Sequence, residues 1–497
     1  MNKRKILSTF LLVAVFAVAG AMTLAVPNGG PTNLHSATAK MTNAEIKMHA
    51  EFGGGARDLF NDVVVLDGGG FVAVGQAQST DGDMDGISKS AANRNDAIIV
   101  RYDTAGEIVW KAAFGGTDND YFHGVTQTAD GNIIAVGQAR SSDGDLTGIA
   151  KGISYDAVFV KYNTDDGAMM WAKTFGGTSL QFFNAVTVSE CGGFVAVGTS
   201  FSANGDMEGL NQAGRAAAVI AKFDTDGDLV WANTSTRPEN GLNDQFRAVT
   251  QTSDGGFVAV GDSYRGSVQH STTDAMIFKF DVDGEIVWSD RLDGGEYHSI
   301  NRGVAELACG AIIATCMSNS GEGDFENLGT FGTYLTKYGT DGERLWIKRP
   351  THISRFGIAP TADGGFVTST GRRNVKFDSN GERVWFVDTN VPNSPTTFFQ
   401  FDAIAKVTDA EFVGVGSRFG GDIDFAEENA VIVWFKAVDA PPPTNGGDNN
   451  GNGNGNGGDG PNIPAIVGGI IGGVVGVCAI GGGVAAAVIL MRRKKAV

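Results

Sequence analysis

The stretch that decides the fold is Gly69-Gly70-Phe71-Val72-Ala73-Val74-Gly75, because it returns six more times along the chain. The copies are GNIIAVG (131–137), GGFVAVG (192–198 and 255–261), GAIIATC (310–316), GGFVTST (364–370) and AEFVGVG (410–416). A second phrase follows each; in the first repeat it is DAIIVRYDTAGEIVW at 96–110, and its Trp recurs at Trp171, Trp231, Trp288, Trp346 and Trp385. Five intervals separate Trp110 from Trp385, a mean period of 55 residues. Self-similarity at such a period marks a repeat architecture.

Each repeat holds four short strand signals, termed a to d. In the second repeat they are Phe122–Thr128, Asn132–Gln138, Asp156–Tyr162 and Ala168–Phe175. Turn residues separate a from b (Thr-Ala-Asp-Gly) and c from d (Asn-Thr-Asp-Asp-Gly). Runs such as FVAV and AIIV are apolar without alternation, so both faces of those strands must be covered. The blades of a β-propeller meet that demand, because each sheet packs between two others. The predicted fold is an all-β, seven-bladed propeller of four-stranded blades over residues 45–437.

The seventh repeat supplies a (Phe401–Val407), b (Glu411–Gly416) and c (Ala430–Lys436) but no d. The missing strand stands at the other end: Glu45-Ile46-Lys47-Met48-His49-Ala50-Glu51-Phe52-Gly53-Gly54 aligns with Glu107–Gly116. The N-terminal strand is therefore expected to complete the last blade, removing the exposed sheet edges. Trp434 falls where Arg101 sits in strand c, not with the strand-d tryptophans.

Net charge is −18, yet both ends are basic. Lys3, Arg4, Lys5 and Arg492, Arg493, Lys494, Lys495 flank a middle with 31 basic against 56 acidic residues. Such a surface repels nucleic acid and favours cations or basic partners. Residues 1–25 read as a signal peptide, with Ala19-Gly20-Ala21 as a cleavage site. Residues 463–491 are uncharged and long enough to span a bilayer, and the following Arg-Arg-Lys-Lys holds the C-terminal tail, 492–497, in the cytoplasm. A Pro/Gly/Asn-rich stalk, 438–462, joins span to propeller. Gly468, Gly472 and Gly476 would place small residues on one face of the span, a setting for self-association. The expected location is the cell membrane, with a single pass and the propeller outside. Cys191, Cys309, Cys316 and Cys478 are too far apart in this scheme to bridge.

The pattern SxDGDxxG, then DAxxVKYDxxGxxxW, then FGG, resembles secreted and surface bacterial β-propeller repeat proteins. The period is nearer kelch than WD40 spacing, and the DxxxGxxxW element is similar to quinoprotein-type repeats. Quinoprotein dehydrogenases are expected to carry adjacent cysteines near their cofactor, and this chain has no Cys-Cys pair. The resemblance spans about residues 45–437 and implies fold more than function.

Antiparallel order puts the tight a–b and c–d turns on one face, and the b–c loops and d–a connections on the other. The b–c loops repeat Ser-x-Asp-Gly-Asp: Asp81, Asp83 and Asp85; Asp143 and Asp145; Asn204 and Asp206. Asp81-x-Asp83-x-Asp85-Gly86 matches the first half of an EF-hand loop, so these side chains are candidate calcium ligands, although Ala92 stands where the closing Glu would be. The competing reading is an acidic turn whose carboxylates cap backbone N–H groups. Asp58, Asp120 and Asp244 recur before strand a, with Gln181 once in that place, and are candidate ligand-binding residues or repeated turn braces. The six strand-d tryptophans read as packing between blades. No HExxH, GxSxG or GxxxxGK[ST] occurs, and the six histidines are scattered. The repeat breaks in blade 5 (Glu322, Asp324, Glu326) and blade 6 (around Gly371). The function expected is a surface adhesion or binding propeller for an extracellular glycan or protein. The alternatives are a surface lyase or glycosidase and a structural surface protein.

Overall fold

The computed structural model describes residues 40–438, apart from 42, 92, 153, 213–214, 236–242, 266–271, 351–356, 370–372, 389–396 and 421–427. The expected signal peptide, stalk, apolar span and tail, with Gly371 and Gly468–Gly476, lie outside the described residues. Among the described residues no helix is long and apolar enough to cross a membrane.

Seven sheets, antiparallel but for one added edge strand, follow one another along the chain. Blade 1 consists of Asp58–Val65, Phe71–Ala77, Asp96–Tyr102 and Ile108–Phe114 as strands a to d. Blade 2 has Asp120–Gln127, Ile133–Ala139, Asp156–Tyr162 and Met169–Phe175, close to the boundaries expected from sequence. Strand b is sealed on both faces: Phe71, Val72, Ala73 and Val74 are at most 1% exposed. Their side chains alternate between two separate clusters. Phe71 and Ala73 join Val413, Val415 and Ile432 of blade 7, while Val72 and Val74 join Ile133, Ala135 and Val158 of blade 2. The core is thus a ring of apolar seams between blades, which is why the runs lack alternation.

The ring closes as the sequence predicts. Asn43–Phe52 pairs antiparallel with Ala430–Val438, with Glu45 opposite Lys436 and Phe52 opposite Ala430. Trp434 pairs with Val413 in strand c, as Arg101 pairs with Val72. Closure is reinforced where blade 7 meets blade 1: Asp58 N–H donates to the Glu428 carbonyl at 2.6 Å, and Arg57 Nε to Glu428 Oε2 at 2.7 Å. One strand was not expected. Lys40–Met41 adds in parallel to Arg383–Asp388, making blade 6 five-stranded. The chain entering blade 7 passes the outer edge of blade 6, and a free edge is a ready partner for an extended segment.

Strands a of successive blades approach one another and form the inner wall. Six of them carry a β-bulge after Phe60, Phe122, Phe183, Phe246, Asn301 and Phe401. The bulge residues are Asn61, His123, Asn184, Arg247, Arg302 and Asp402, and a bulge re-aims its side chain. Asn61 Nδ2 donates to the Phe122 carbonyl at 2.7 Å, and Asn184 Nδ2 to the Phe246 carbonyl at 2.6 Å, linking adjacent blades across the inner wall.

The strand-d tryptophans pack between blades. Trp110 Nε1 donates to the Thr164 carbonyl of the next c–d turn at 2.8 Å, and Trp231 Nε1 to Val282 at 3.1 Å. A Cβ at Gly167 would lie 2.5 Å from the Trp110 ring, and one at Gly284 would lie 2.7 Å from Trp231. The Gly of the c–d turn in blades 2 to 6 is therefore needed twice, for its positive φ and for the indole beneath it, whereas Gly106 of blade 1 sits on Met48.

Candidate functional site

The b–c loops of blades 1, 2, 3 and 5 share one backbone. Each opens with a single 3₁₀ turn, at Gly82–Met84, Gly144–Leu146, Gly205–Met207 and Gly323–Phe325. Residues before the turn are extended, with φ between −117° and −134°; residues after it have φ between −56° and −60°. The buried third residue, Met84, Leu146, Met207 or Phe325, anchors the loop in the core.

The loop docks onto the FGG segment that ends strand d of the preceding blade. In blade 2, Asp145 N–H donates to the Gly115 carbonyl at 3.0 Å, and Gly115 N–H returns a bond to Asp145 Oδ2 at 3.0 Å. Asp143 Oδ1 accepts from Thr117 N–H at 2.9 Å, a bond that lowers the Asp143 carboxyl from its ordinary range. Blade 1 repeats this with Gly53 N–H to Asp83 Oδ2 (3.1 Å) and Gly55 N–H to Asp81 Oδ1 (2.8 Å). Blade 3 uses Gly176 N–H to Asp206 Oδ2 (2.9 Å) and Thr178 N–H to Asn204 Oδ1 (3.1 Å). In blade 5, Asp293 N–H donates to Asp324 Oδ2 at 2.8 Å. Gly144 has φ +61°, and a Cβ there would lie 2.3 Å from the Gly115 oxygen; only glycine permits the approach.

Lysines tie loop to loop. Lys89 Nζ of the blade 1 loop donates to Asp145 Oδ2 at 2.5 Å, and Lys151 Nζ of the blade 2 loop to Asp206 Oδ2 at 2.5 Å. In blade 5, Arg344 binds both Asp324 Oδ1 (2.6 Å) and Asp290 Oδ2 (2.8 Å).

The candidate calcium ligands thus direct oxygens at N–H groups and ammonium groups of neighbouring segments. A calcium shell needs six to eight converging oxygens. Among the described residues no three His, Cys, Asp or Glu side chains converge to hold a metal ion. Asp85, after the 3₁₀ turn, is exposed.

Beneath the loops lie the residues before strand a. Asp58 is 0% exposed; its carboxylate accepts from Gly54 N–H (2.9 Å), Gln78 N–H (3.1 Å), Ser79 N–H (3.2 Å) and Ser79 Oγ (2.6 Å). Asp120, also 0% exposed, makes the same four bonds, to Gly116, Arg140 and Ser141. Burial raises both carboxyls against the pull of those bonds, Asp120 to about 6. Gln181 keeps the place in blade 3 by donating to the Gly177 carbonyl at 2.7 Å and accepting from Ser202 Oγ at 2.7 Å. Asp244 accepts from Ser235 Oγ (2.6 Å) and Ser263 Oγ (2.5 Å). Asp58, Asp120 and Gln181 each join a d–a connection to the b–c loop above it, whereas Asp244 joins the end of the preceding strand d to strand b of its own blade.

Repeat counting does not reveal the inner-wall residues, because the residue type at the bulge varies from blade to blade. Burial pushes Asp62 up to about 6 although Val125 N–H (3.0 Å) and Val63 N–H (2.9 Å) donate to it, and it pushes His123 down to about 4. Arg247 pairs with buried Asp262. The sequence signal for the bulge residues of blades 1 to 4, Asn61, His123, Asn184 and Arg247, is a polar residue two before the VT or VV of strand a.

No family model and no curated protein matches the chain. Among solved structures it is similar to polysaccharide lyase Uly1, at 10% identity and TM-score 0.45, covering 79% of this chain and 100% of that one. It is similar to a protein of unknown function from Dyadobacter fermentans, at 10% identity and TM-score 0.38, covering 80% and 100%. It is also similar to a gluconolactonase from Xanthomonas campestris, at 12% identity and TM-score 0.33, covering 68% and 90%. The sheet topology of the chain itself defines its class: a seven-bladed β-propeller with four-stranded blades.

Proposed function

We propose that this chain is a cell-surface binding propeller, exported by residues 1–25 and held by residues 463–491, which engages an extracellular protein or glycan through its b–c loop face. The observation that supports it is the sameness of the loops and the difference of what they display. Four loops with one backbone present Asp85, Thr147, Glu208 and Glu326 at the same exposed position. A rigid scaffold that varies one outward residue per repeat is suited to recognition, since loops held in place lose little entropy on binding. Strand c of blade 7 ends at Val438 on the tight-turn face, so these loops lie on the face opposite to the point where the chain continues. The acidic residues favour a ligand with positive or hydrogen-bond-donating groups. The loops are braced by N–H groups and lysines, so this reading predicts binding that persists in chelator.

The test is an array of glycans and matrix proteins probed with soluble propeller, residues 40–440, in calcium and in chelator. A ligand should bind in both, and the combined variant Asp85→Ala, Thr147→Ala, Glu208→Ala should lose it. Binding undiminished in that variant refutes the loop-face assignment. Binding abolished by chelator would instead support calcium on these loops.

A further inference from the structure

A different place in the repeat carries an inference independent of the loop face. On the tight-turn face, strand c of most blades ends in a Lys that reaches back to the a–b turn of its own blade. Lys161 Nζ meets Asp130 Oδ2 at 2.6 Å, Lys279 Nζ meets Asp254 Oδ1 at 2.6 Å, and Lys376 Nζ meets Asp363 Oδ1 at 2.6 Å. Burial raises Asp254 and Asp363, but the hydrogen bonds from Lys and Thr outweigh it and hold both at about 2. In blade 3 the acid is replaced by Cys191, and Lys222 Nζ still points at the sulfur, 2.9 Å away.

Blade 1 breaks the pattern on both sides. The acid becomes Gly68 and the Lys becomes Arg101. Arg101 reaches the next blade, its Nη1 donating to the carbonyls of Thr164 (2.7 Å) and Asp165 (3.3 Å). Its Nε is buried and has no hydrogen-bond partner. Where Gly68 lacks a side chain, a groove of about 450 Å³ opens between blades 1 and 2, lined by Gly68, Arg101, Gln127, Asp130, Asn132 and Asn163. That volume falls within the rough 300–1,000 Å³ of small-ligand sites.

We propose that this groove binds a carboxylated sugar, with the sugar carboxylate taking the place that Asp130, Asp254 and Asp363 fill in other blades. The protein supplies the template for the carboxylate: three blades already set one against the strand-c cation. Arg101 lines the groove without a carboxylate partner among the described residues, and a carboxylate seated there would meet the groove side of its guanidinium with a charge-assisted bond. The rest of the ligand is read from the lining. Leu66 is the one aliphatic side chain there, so the groove offers little to a peptide side chain. Gln127 Oε1 and Asn163 Oδ1 already accept N–H groups of Asp67, Asp165 and Asp166, so hydroxyl groups would meet the remaining amide N–H groups of Gln127, Asn132 and Asn163. Asp130 is committed to Lys161 and Thr128. Asp67 and Asp165 are exposed, where salt screens them.

The experiment titrates propeller 40–440 with trigalacturonate, neutral galactotriose and tri-aspartate, followed by calorimetry and by Trp110 fluorescence. The seven sheets close within residues 40–438, so this part contains the whole ring. Trp110 donates to the same Thr164 carbonyl as Arg101 and should report occupation of the groove. Trigalacturonate should bind, and galactotriose should not. Gly68→Asp should weaken binding at least tenfold by supplying the carboxylate internally, and Arg101→Gln should do the same. Gly68 has open space at its Cβ position and φ outside the left-handed region, so Gly68→Asp should leave the melting temperature unchanged or higher and separate loss of ligand from loss of fold. Equal affinity of wild type and Gly68→Asp, or no binding at millimolar sugar, overturns the proposal. Tri-aspartate binding as tightly with the same sensitivity overturns the assignment to sugar.

Discussion

Replacing Gly144 by Ala tests whether the loop ring is held by its docking onto the FGG segment. Gly144 has φ +61° and Gly148, at the end of the same loop, φ +82°. Either substitution places an L side chain in the left-handed region, at a cost of about 1–2 kcal/mol. Only one of them collides. A Cβ on Gly144 would sit 2.3 Å from the Gly115 oxygen and 2.9 Å from the Gly116 Cα, whereas nothing lies within 4 Å of a Cβ on Gly148. Both obstacles at Gly144 are backbone, so the loop must lift by about an ångström. That breaks the reciprocal pair between Asp145 and Gly115, at 3.0 Å each. A neutral hydrogen bond contributes about 0.5–1.5 kcal/mol and one to a charged group about 1.5–3. Gly144→Ala should therefore lose about 2–4 kcal/mol beyond the loss in Gly148→Ala. The assay is urea unfolding of both variants followed by tryptophan fluorescence, with amide hydrogen exchange at Asp145. If the two variants lose equal stability and Asp145 stays protected, docking does not hold the loop, and the rigid platform proposed for recognition falls with it.

Other outcomes follow from the same geometry. Burial raises the Asp120 carboxyl to about 6, while an unfolded Asp titrates near 3.8. Between those values the folded chain holds a proton that the unfolded chain has released, so the Asp120 contribution makes stability fall as pH rises from about 4 to 6 and level off above; this is about 3 kcal/mol at most. Asp120→Asn should flatten that slope in unfolding measured from pH 4 to 7, and an unchanged slope refutes it. Trp110→Ala should cost about 2–3 kcal/mol, below the roughly 3–5 kcal/mol of fully buried aromatic deletions, because the ring is half-buried. Gly167→Ala should cost less in the Trp110→Ala background than alone, and an additive double mutant would deny the contact. Hydrogen bonds from Lys222 and Ser189 lower the exposed Cys191 thiol, whereas burial raises Cys316 far above its usual value. Iodoacetamide at pH 7 should label Cys191 before Cys309 and Cys316, and Lys222→Met should slow Cys191; labelling indifferent to Lys222 would contradict the ion contact.

The sequence alone determined the number of blades, the four strands in each and the closure by the N-terminal strand. These rest on local signals: a phrase that recurs, turn residues at fixed offsets, and apolar runs without alternation that only a sheet covered on both faces satisfies. It also marked the loops that carry Asp81, Asp83, Asp143, Asp145 and Asp206, but left open what their oxygens meet. Only the tertiary structure decided that. The groups they accept from, Gly53, Gly115 and Gly176, lie 30 residues back, on the strand that ends the preceding blade. The same holds for Gly167 against Trp110, for Lys40–Met41 on blade 6, and for the uncapped Nε of Arg101. A repeat dictates its own strands through period and turn chemistry. What one repeat offers the next depends on how the ring brings their edges together, and a change as small as Gly68 for Asp becomes a groove only once that neighbour is in place.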